Sequence, residues 1–248
     1  MNYFLPALLF SVFSCSEEKE IFETDMVSEY MPLQVGKTIT YRLDSTVFTR
    51  GGSTIETYKY QVRHTVISEE SSGNGSTSFF IKRDINNETA SGSWTNNGSY
   101  TVQVFDKKIE IINDNLRVTT LQAPLKQGFT WKGNSQLPDK PYEQLFEMSA
   151  GESMNDWDFT LSNSGTETIE NQSFQNVWTV EQHHNILNIP PTNNTSYGEM
   201  EVSTEKYAKG IGLVFKNFQL YEYQGPNAEV PAGHYTGFGI KMWMIADE

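Results

Sequence analysis

From Tyr58 to Val66 the side chains alternate one by one. Tyr58, Tyr60, Val62, His64 and Val66 fall on one side, and Lys59, Gln61, Arg63 and Thr65 on the other. A period of two marks a half-buried strand, because successive Cβ atoms leave opposite faces of the pleat. The same beat recurs along the chain. "KTITYRLDSTVF" sets Ile39, Tyr41 and Leu43 on one face, and "GFGIKMWMIA" does so with Phe238, Ile240, Met242 and Met244. "TSFFIKRDI", "WTNNGSYTVQVF", "KKIEIINDNLRVTTL", "DWDFTLSNSGTETIE", "NVWTVEQHH", "GEMEVSTEKYA" and "GLVFKNFQLYEY" also read as strands.

Turn chemistry separates these runs. Gly51-Gly52 and "SSGNGS" bound the second strand, Asn97-Gly98 predicts a type I′ hairpin, and Asn113-Asp114-Asn115 predicts another turn. Gly210 and Gly212 flank Ile211 in a tight turn. The strand after it changes phase: Leu213 and Phe215 share one parity, Phe218 and Leu220 the other, which predicts a bulge near Lys216-Asn217. "ILNIPPTNNTSYG" reads as a loop, since Pro190-Pro191 cannot pair in a ladder. The best helix candidate is the short "KPYEQLFEMS". Many short antiparallel strands and scarce helix signals predict one all-β domain over residues 30–248 with at most one or two short helices. An antiparallel β-barrel or a strongly curved two-sheet sandwich would leave few open edges. "PLQVGKT" at Pro32 and "PLKQGFT" at Pro124 share P-L-x-x-G-x-T, each reading as an entry turn into a strand. Chance turn chemistry explains the echo; a pseudo-repeat of two half-barrels is the sharper reading.

Composition sharpens this picture. The 248 residues are 13% aromatic and only 20% charged, which suits an exported β-protein. A net charge of -13 opposes binding to nucleic acid or to an anionic lipid surface. The single cysteine, Cys15, excludes an internal disulfide framework.

Cys15 stands at a seam. "MNYFLPALLFSVFS" carries no charge and is too short for a membrane span, but it has the length of a secretory h-region. Val12-Phe13-Ser14-Cys15 resembles the lipobox of bacterial lipoproteins. Val12 and Ser14 match that motif, while Phe13 is bulkier than its usual occupant and the n-region lacks Lys or Arg. The motif implies signal cleavage between Ser14 and Cys15 and a lipid-modified (diacylglycerol- and palmitate-bearing) Cys15 as membrane anchor. A buried Cys15 is the bland alternative, and the polar run from Ser16 to Glu20 opposes it. The chain then divides into a signal peptide over 1–14, a lipidated cysteine with an acidic tether over 15–29, and the β domain. "CSEEKE" resembles the acidic surface-export signal of Bacteroidota lipoproteins, or is a solvated tether.

Three longer strings resemble uncharacterised Bacteroidota lipoproteins: "YMPLQVGKTITYRLDST", "IENQSFQNVWTV" and "EKYAKGIGLVFKNF". The resemblance implies a lipocalin-like or LolA/LolB-like barrel or curved sheet. It carries no catalytic residue, because the family has no established activity.

Candidate chemistry is sparse. His183 and His184 are adjacent on a strand and point to opposite faces, and His64 reads as a hydrogen-bonded core imidazole. A zinc site from His64, one of that pair and His234 requires long-range folding, so no metal and no cofactor is assigned. Asp156 and Asp158 share a strand face around Trp157 and read as a solvated edge. Glu199, Glu201, Ser203 and Glu205 read as a polar outer face opposite Met200, Val202 and Thr204. No G-x-S-x-G or S-x-x-K signature occurs. Trp94, Trp131, Trp157, Trp178 and Trp243 would stack sugars if exposed, though core packing is their default. Asp44-Ser45-Thr46 resembles a Bacteroidota O-glycosylation pattern at Ser45, within a predicted strand. The expectation is a non-catalytic, lipid-anchored lipoprotein of the cell envelope, at the outer membrane and exposed at the cell surface. It would bind a hydrophobic or other small ligand. The alternatives are a carbohydrate-binding surface module and a structural or assembly partner; nothing in the sequence sets the oligomeric state.

Overall fold

In the computed structural model, which describes residues 25–73, 75–148, 152–193, 195–228 and 230–248, the chain runs up and down through twelve antiparallel strands. The first six are β1 (Thr38–Thr49), β2 (Thr54–Ser71), β3 (Thr77–Asn87), β4 (Thr95–Val104), β5 (Lys108–Asn113) and β6 (Leu116–Gln122). The second six are β7 (Thr130–Trp131), β8 (Phe159–Ile169), β9 (Gln172–Leu187), β10 (Gly198–Ala208), β11 (Gly212–Gln224) and β12 (His234–Asp247). Each strand pairs with its chain neighbour within its own half, and β1 pairs with β12. Reciprocal backbone bonds between Thr38 and Glu248, at 2.8 and 2.9 Å, extend that seam. At the opposite seam Thr119 N–H donates to the Gly133 carbonyl at 2.9 Å, and the Trp131 indole N–H donates to the Thr119 carbonyl at 2.7 Å. The result is a nearly closed antiparallel barrel, the all-β class predicted from the alternation.

Both P-L-x-x-G-x-T stretches are entry turns. Gly36 and Gly128 are left-handed, with φ of 96° and 82°. Lys37 N–H donates to the Gln34 carbonyl and Phe129 N–H to the Lys126 carbonyl, each at 3.0 Å. The first turn feeds β1 and the second β7, so each opens a six-stranded half. The Asp114-Asn115 turn also forms as expected, with both residues at positive φ.

Three local expectations change. Asn97-Gly98 lies inside β4, where the register slips opposite Lys82–Asp84 and Gly98 takes φ 87°. A bulge uses a positive-φ glycine as readily as a type I′ turn does. The β3–β4 reversal comes earlier, where the Asn87 carboxamide oxygen accepts the N–H groups of Thr89 and Ser91. The bulge in β11 falls at Val214: Tyr207 pairs with Leu213 and Lys206 with Phe215. In "KPYEQLFEMS" residues 141–145 form turns rather than a helix, and Ser149 lies outside the described residues. Phe146 is buried and Tyr142 packs on Phe218 and Phe238, while Leu145 stays exposed, so packing of the two rings rather than helix propensity sets this backbone.

The interior is filled. Residues 132–148 and 152–158, between β7 and β8, cross the barrel as a strap. Leu137, Phe146, Met154 and Trp157 of the strap are buried in the same cluster as Phe159, Leu161, Phe218 and Leu220. The Tyr142 ring sits 5.6 Å from Phe218 and 5.5 Å from Phe238. Burial of each such side chain is worth about 2–3 kcal/mol, so the strap is part of the core. At the other end of the barrel, the 3-10 turn Val27–Tyr30 contacts both β5 and β11. Val27 and Tyr30 are buried, and Asp25 and Glu29 pair with Lys209 at 2.6 and 3.3 Å. The packed part thus takes in the last residues of the stretch read as tether.

Candidate functional site

The alternation in β10 is real, and its polar side faces inward. Glu201 is 1% exposed and Glu205 3%. Period two distinguishes two faces but does not say which is buried. What inverts the expectation is the supply of partners across the barrel. Lys216 Nζ of β11 donates to Glu205 Oε1 at 2.8 Å. Glu205 Oε2 accepts from Thr120 Oγ1 at 2.6 Å, Gln182 Nε2 at 2.9 Å and Tyr207 Oη at 2.5 Å. Burial alone would raise the Glu205 carboxyl, but Lys216 and these donors outweigh it and hold the group below the usual carboxylate range. The same pairing keeps Lys216 charged against its own desolvation. Residues from β6, β9, β10 and β11 therefore meet in one charge-assisted network at mid-barrel.

Below that network the barrel is apolar. A cavity of only about 40 Å³ remains there, bordered by Met31, Ile39, Tyr41, His64 and Leu213 among others. Tyr100 Oη lies 3.0 Å from His64 Nδ1, and the Tyr41 ring is 5.0 Å from the imidazole. His64 is the hydrogen-bonded core imidazole that its strand face predicted. Burial, with the positive charges of Arg83 and Lys216, pulls it from 6.5 down to about 3. The unfolded chain takes up this proton near pH 6.5 and the barrel only near pH 3, so stability falls as pH drops through that window. Between pH 7 and pH 4 the loss from this group is roughly 3 kcal/mol. Denaturant midpoints of wild type and His64→Phe across that range should diverge accordingly; parallel curves would refute the assignment.

Above the network lies the larger space. A cavity of about 580 Å³ opens between the strap and the end of β11. Tyr142, Phe146, Met148, Met154 and Leu220 give it an apolar base. Asp139, Glu147, Glu152 and Glu222 line it against a single cation, Lys140, which is paired with Glu147 at 2.5 Å. On the adjoining inner face, carboxylate oxygens of Glu152, Glu199 and Glu201 lie within 4.8 Å of one another. The Glu199 carboxyl is raised by burial first and then by the charges of Glu201 and Glu152. Tyr197 Oη donates to Glu199 at 3.2 Å and to Glu222 at 3.1 Å, tying the inner face to the cavity wall.

The other candidate residues sit apart from this wall, save one. His183 Nε2 is 3.3 Å from Glu201 Oε2, and its ring stacks on Trp157 at 4.3 Å. The carboxylate cluster among the described residues includes neither His64 nor His234. Asp158 pairs with Lys132 at 3.0 Å outside the barrel while Trp157 between the two aspartates points in. Ser45 stands mid-strand in β1, half-buried, opposite Tyr58 and Ile240. Trp131, Trp157 and Trp178 are buried. Trp94 lies 3.8 Å beneath the Arg63 guanidinium and Trp243 lies 5.3 Å beneath Lys241. Both stay half-buried, each with one ring face covered by a cation. Ser14 and Cys15 fall outside the described residues.

Sequence reasoning missed Glu199, Glu201 and Glu205 as interior residues. One signal was present: Tyr207 shares their parity and stands next to the apolar turn at Ala208.

No protein-family model matches the chain, and no curated protein matches it in sequence. Among solved structures, a DUF1329 family protein of Desulfovibrio piger is 9% identical, with a TM-score of 0.22 over 90% of this chain and 89% of its own. A domain of Vibrio parahaemolyticus, described as an outer membrane lipoprotein-sorting protein domain, is 10% identical with a TM-score of 0.17 over 86% and 85%. Superpositions this loose carry no functional information, and the site is read from its own geometry.

Proposed function

We propose that this protein is a non-catalytic, lipid-anchored binding protein of the cell envelope that takes a small amphipathic ligand beneath the strap. The cavity between the strap and the end of β11 carries the reading. Its volume of about 580 Å³ falls within the range of small-molecule sites. Its base is apolar and its wall is acidic, which disfavours a fatty carboxylate or a phosphate head group. A neutral or cationic head on a short apolar body fits both features. A long acyl chain through the barrel centre does not fit, because Tyr142, Phe218 and Phe238 fill that space. The outward positions Lys59 and Arg63 of β2 and Lys206 of β10 favour a water-borne barrel held by a lipid at Cys15, at the outer membrane and facing the cell surface.

Titration of tryptophan fluorescence with decylamine and with decanoate tests the ligand class. Decylamine is expected to saturate at one equivalent and decanoate to bind at least tenfold more weakly. Asp139→Lys combined with Glu222→Lys should reverse that order. If neither amphiphile saturates and native mass spectrometry from the host shows the bare chain, the reading fails. For the anchor, labelled palmitate retained by Cys15→Ala would refute lipidation there.

A further inference from the structure

Glu201 is an anomaly inside the barrel. It is 1% exposed, yet its Oε1 atom is buried with no hydrogen-bond partner. Its Oε2 atom lies 3.3 Å from His183 Nε2, a nitrogen that is likewise buried with no hydrogen bond. Among the described residues no Lys or Arg makes an ion pair with Glu201. Glu205, four residues along the same inner face, shows what an ordinary solution looks like: a lysine and three further donors. A buried carboxylate without such partners is costly, and two more carboxylates, from Glu199 and Glu152, lie within 4.8 Å. Three acids converging on one point, with an imidazole against one of them, are the donor set of a cation, not of a core.

We propose that Glu152, Glu199, Glu201 and His183 bind one divalent first-row metal ion of the manganese or zinc class. The imidazole selects against calcium and magnesium, which prefer all-oxygen shells. Around an ion with bonds of about 2.1 Å, ligand atoms lie no more than about 4.2 Å apart. Closing the three carboxylates therefore asks for side-chain movements of about half an ångström, and His183 would join them from its place beside Glu201 Oε2. The supporting shell is in place. Asn185 Nδ2 and Tyr197 Oη each donate to Glu199 at 3.2 Å, and Trp157 holds the His183 ring at an interplanar angle of 4°. Such contacts orient metal ligands and set their basicity. Glu152 comes from the strap and the other three residues from β9 and β10, so the ion would tie the strap to the barrel wall. Glu152 also borders the cavity, but the metal site does not rest on the ligand reading.

The test uses untagged full-length protein stripped with chelator and returned to metal-free buffer. Isothermal titration with Mn²⁺ or Zn²⁺ should show one saturable site, and the thermal midpoint should rise on loading. Glu201→Gln and His183→Gln should each weaken binding at least tenfold. His184→Gln, on the opposite face of the same strand, should leave it unchanged. Glu201→Gln carries a second readout: loss of an uncompensated buried charge should raise the thermal midpoint of the metal-free protein while removing the gain on loading. Absence of saturable binding to the folded wild type overturns the proposal. So does a Glu201→Gln variant that binds as wild type. Tight Ca²⁺ binding unaffected by His183→Gln overturns the assignment of the metal class and of the imidazole.

Discussion

Replacing Glu205 by alanine is expected to lower stability by about 3–5 kcal/mol, seen as a fall in thermal midpoint of roughly 10 °C. The substitution removes one acceptor from four donors, Lys216, Thr120, Gln182 and Tyr207, which come from four strands. Lys216 would keep its charge on the inner face with nothing opposite it, and the hydroxyls of Thr120 and Tyr207 would lose their common partner. The cost is that of orphaned groups, not of one lost contact. For that reason Glu205→Leu combined with Lys216→Met should recover more than half of the loss. Urea melts of the two single variants and the double variant check this as a double-mutant cycle. A Glu205→Ala variant within about 1 kcal/mol of wild type would mean that water replaces the carboxylate and that the network is not dry.

Trp157→Ala should cost a similar amount, about 3–5 kcal/mol for a large buried ring, with a more local signature. Trp157 is 4% exposed and stacks on His183, so it pins the end of the strap to β9. Its loss leaves a cavity and frees both the ring of His183 and the strap. A glutamate-specific protease should then cut after Glu143 and Glu147, both exposed on the strap, faster than in wild type while the strands stay protected in hydrogen exchange. A uniform rise in exchange across all twelve strands would instead show that the strap and the barrel unfold as one unit.

The strap also marks the limit of what spacing can reveal. Tyr142, Phe146, Met154 and Trp157 keep spacings a helix would also give, yet the described chain around them forms turns and a short 3-10 turn, because each side chain fits the barrel interior rather than a regular element. Asn97-Gly98 shows a different limit. A positive-φ glycine signals a departure from regular backbone, and both a hairpin and a bulge are such departures. The β4 residues on either side of the pair find partners in β3 on both sides, so the bulge prevails. The faces of β2 and β12 were legible because one side is plainly apolar: Val62, Val66, Met242 and Met244 are all buried.

The sequence by itself determined the strand content, the turns at Asp114-Asn115 and Gly210–Gly212, and the entry turns that open the two halves. These depend on local dihedral preference and on alternation, which a short window contains. Closure of the barrel, the filling of its interior and the inward turn of Glu199, Glu201 and Glu205 were decided only by tertiary structure. Glu205 faces inward because a lysine, two hydroxyls and an amide are waiting there. Its partners Thr120, Gln182 and Lys216 lie on three other strands, at separations that no local pattern records.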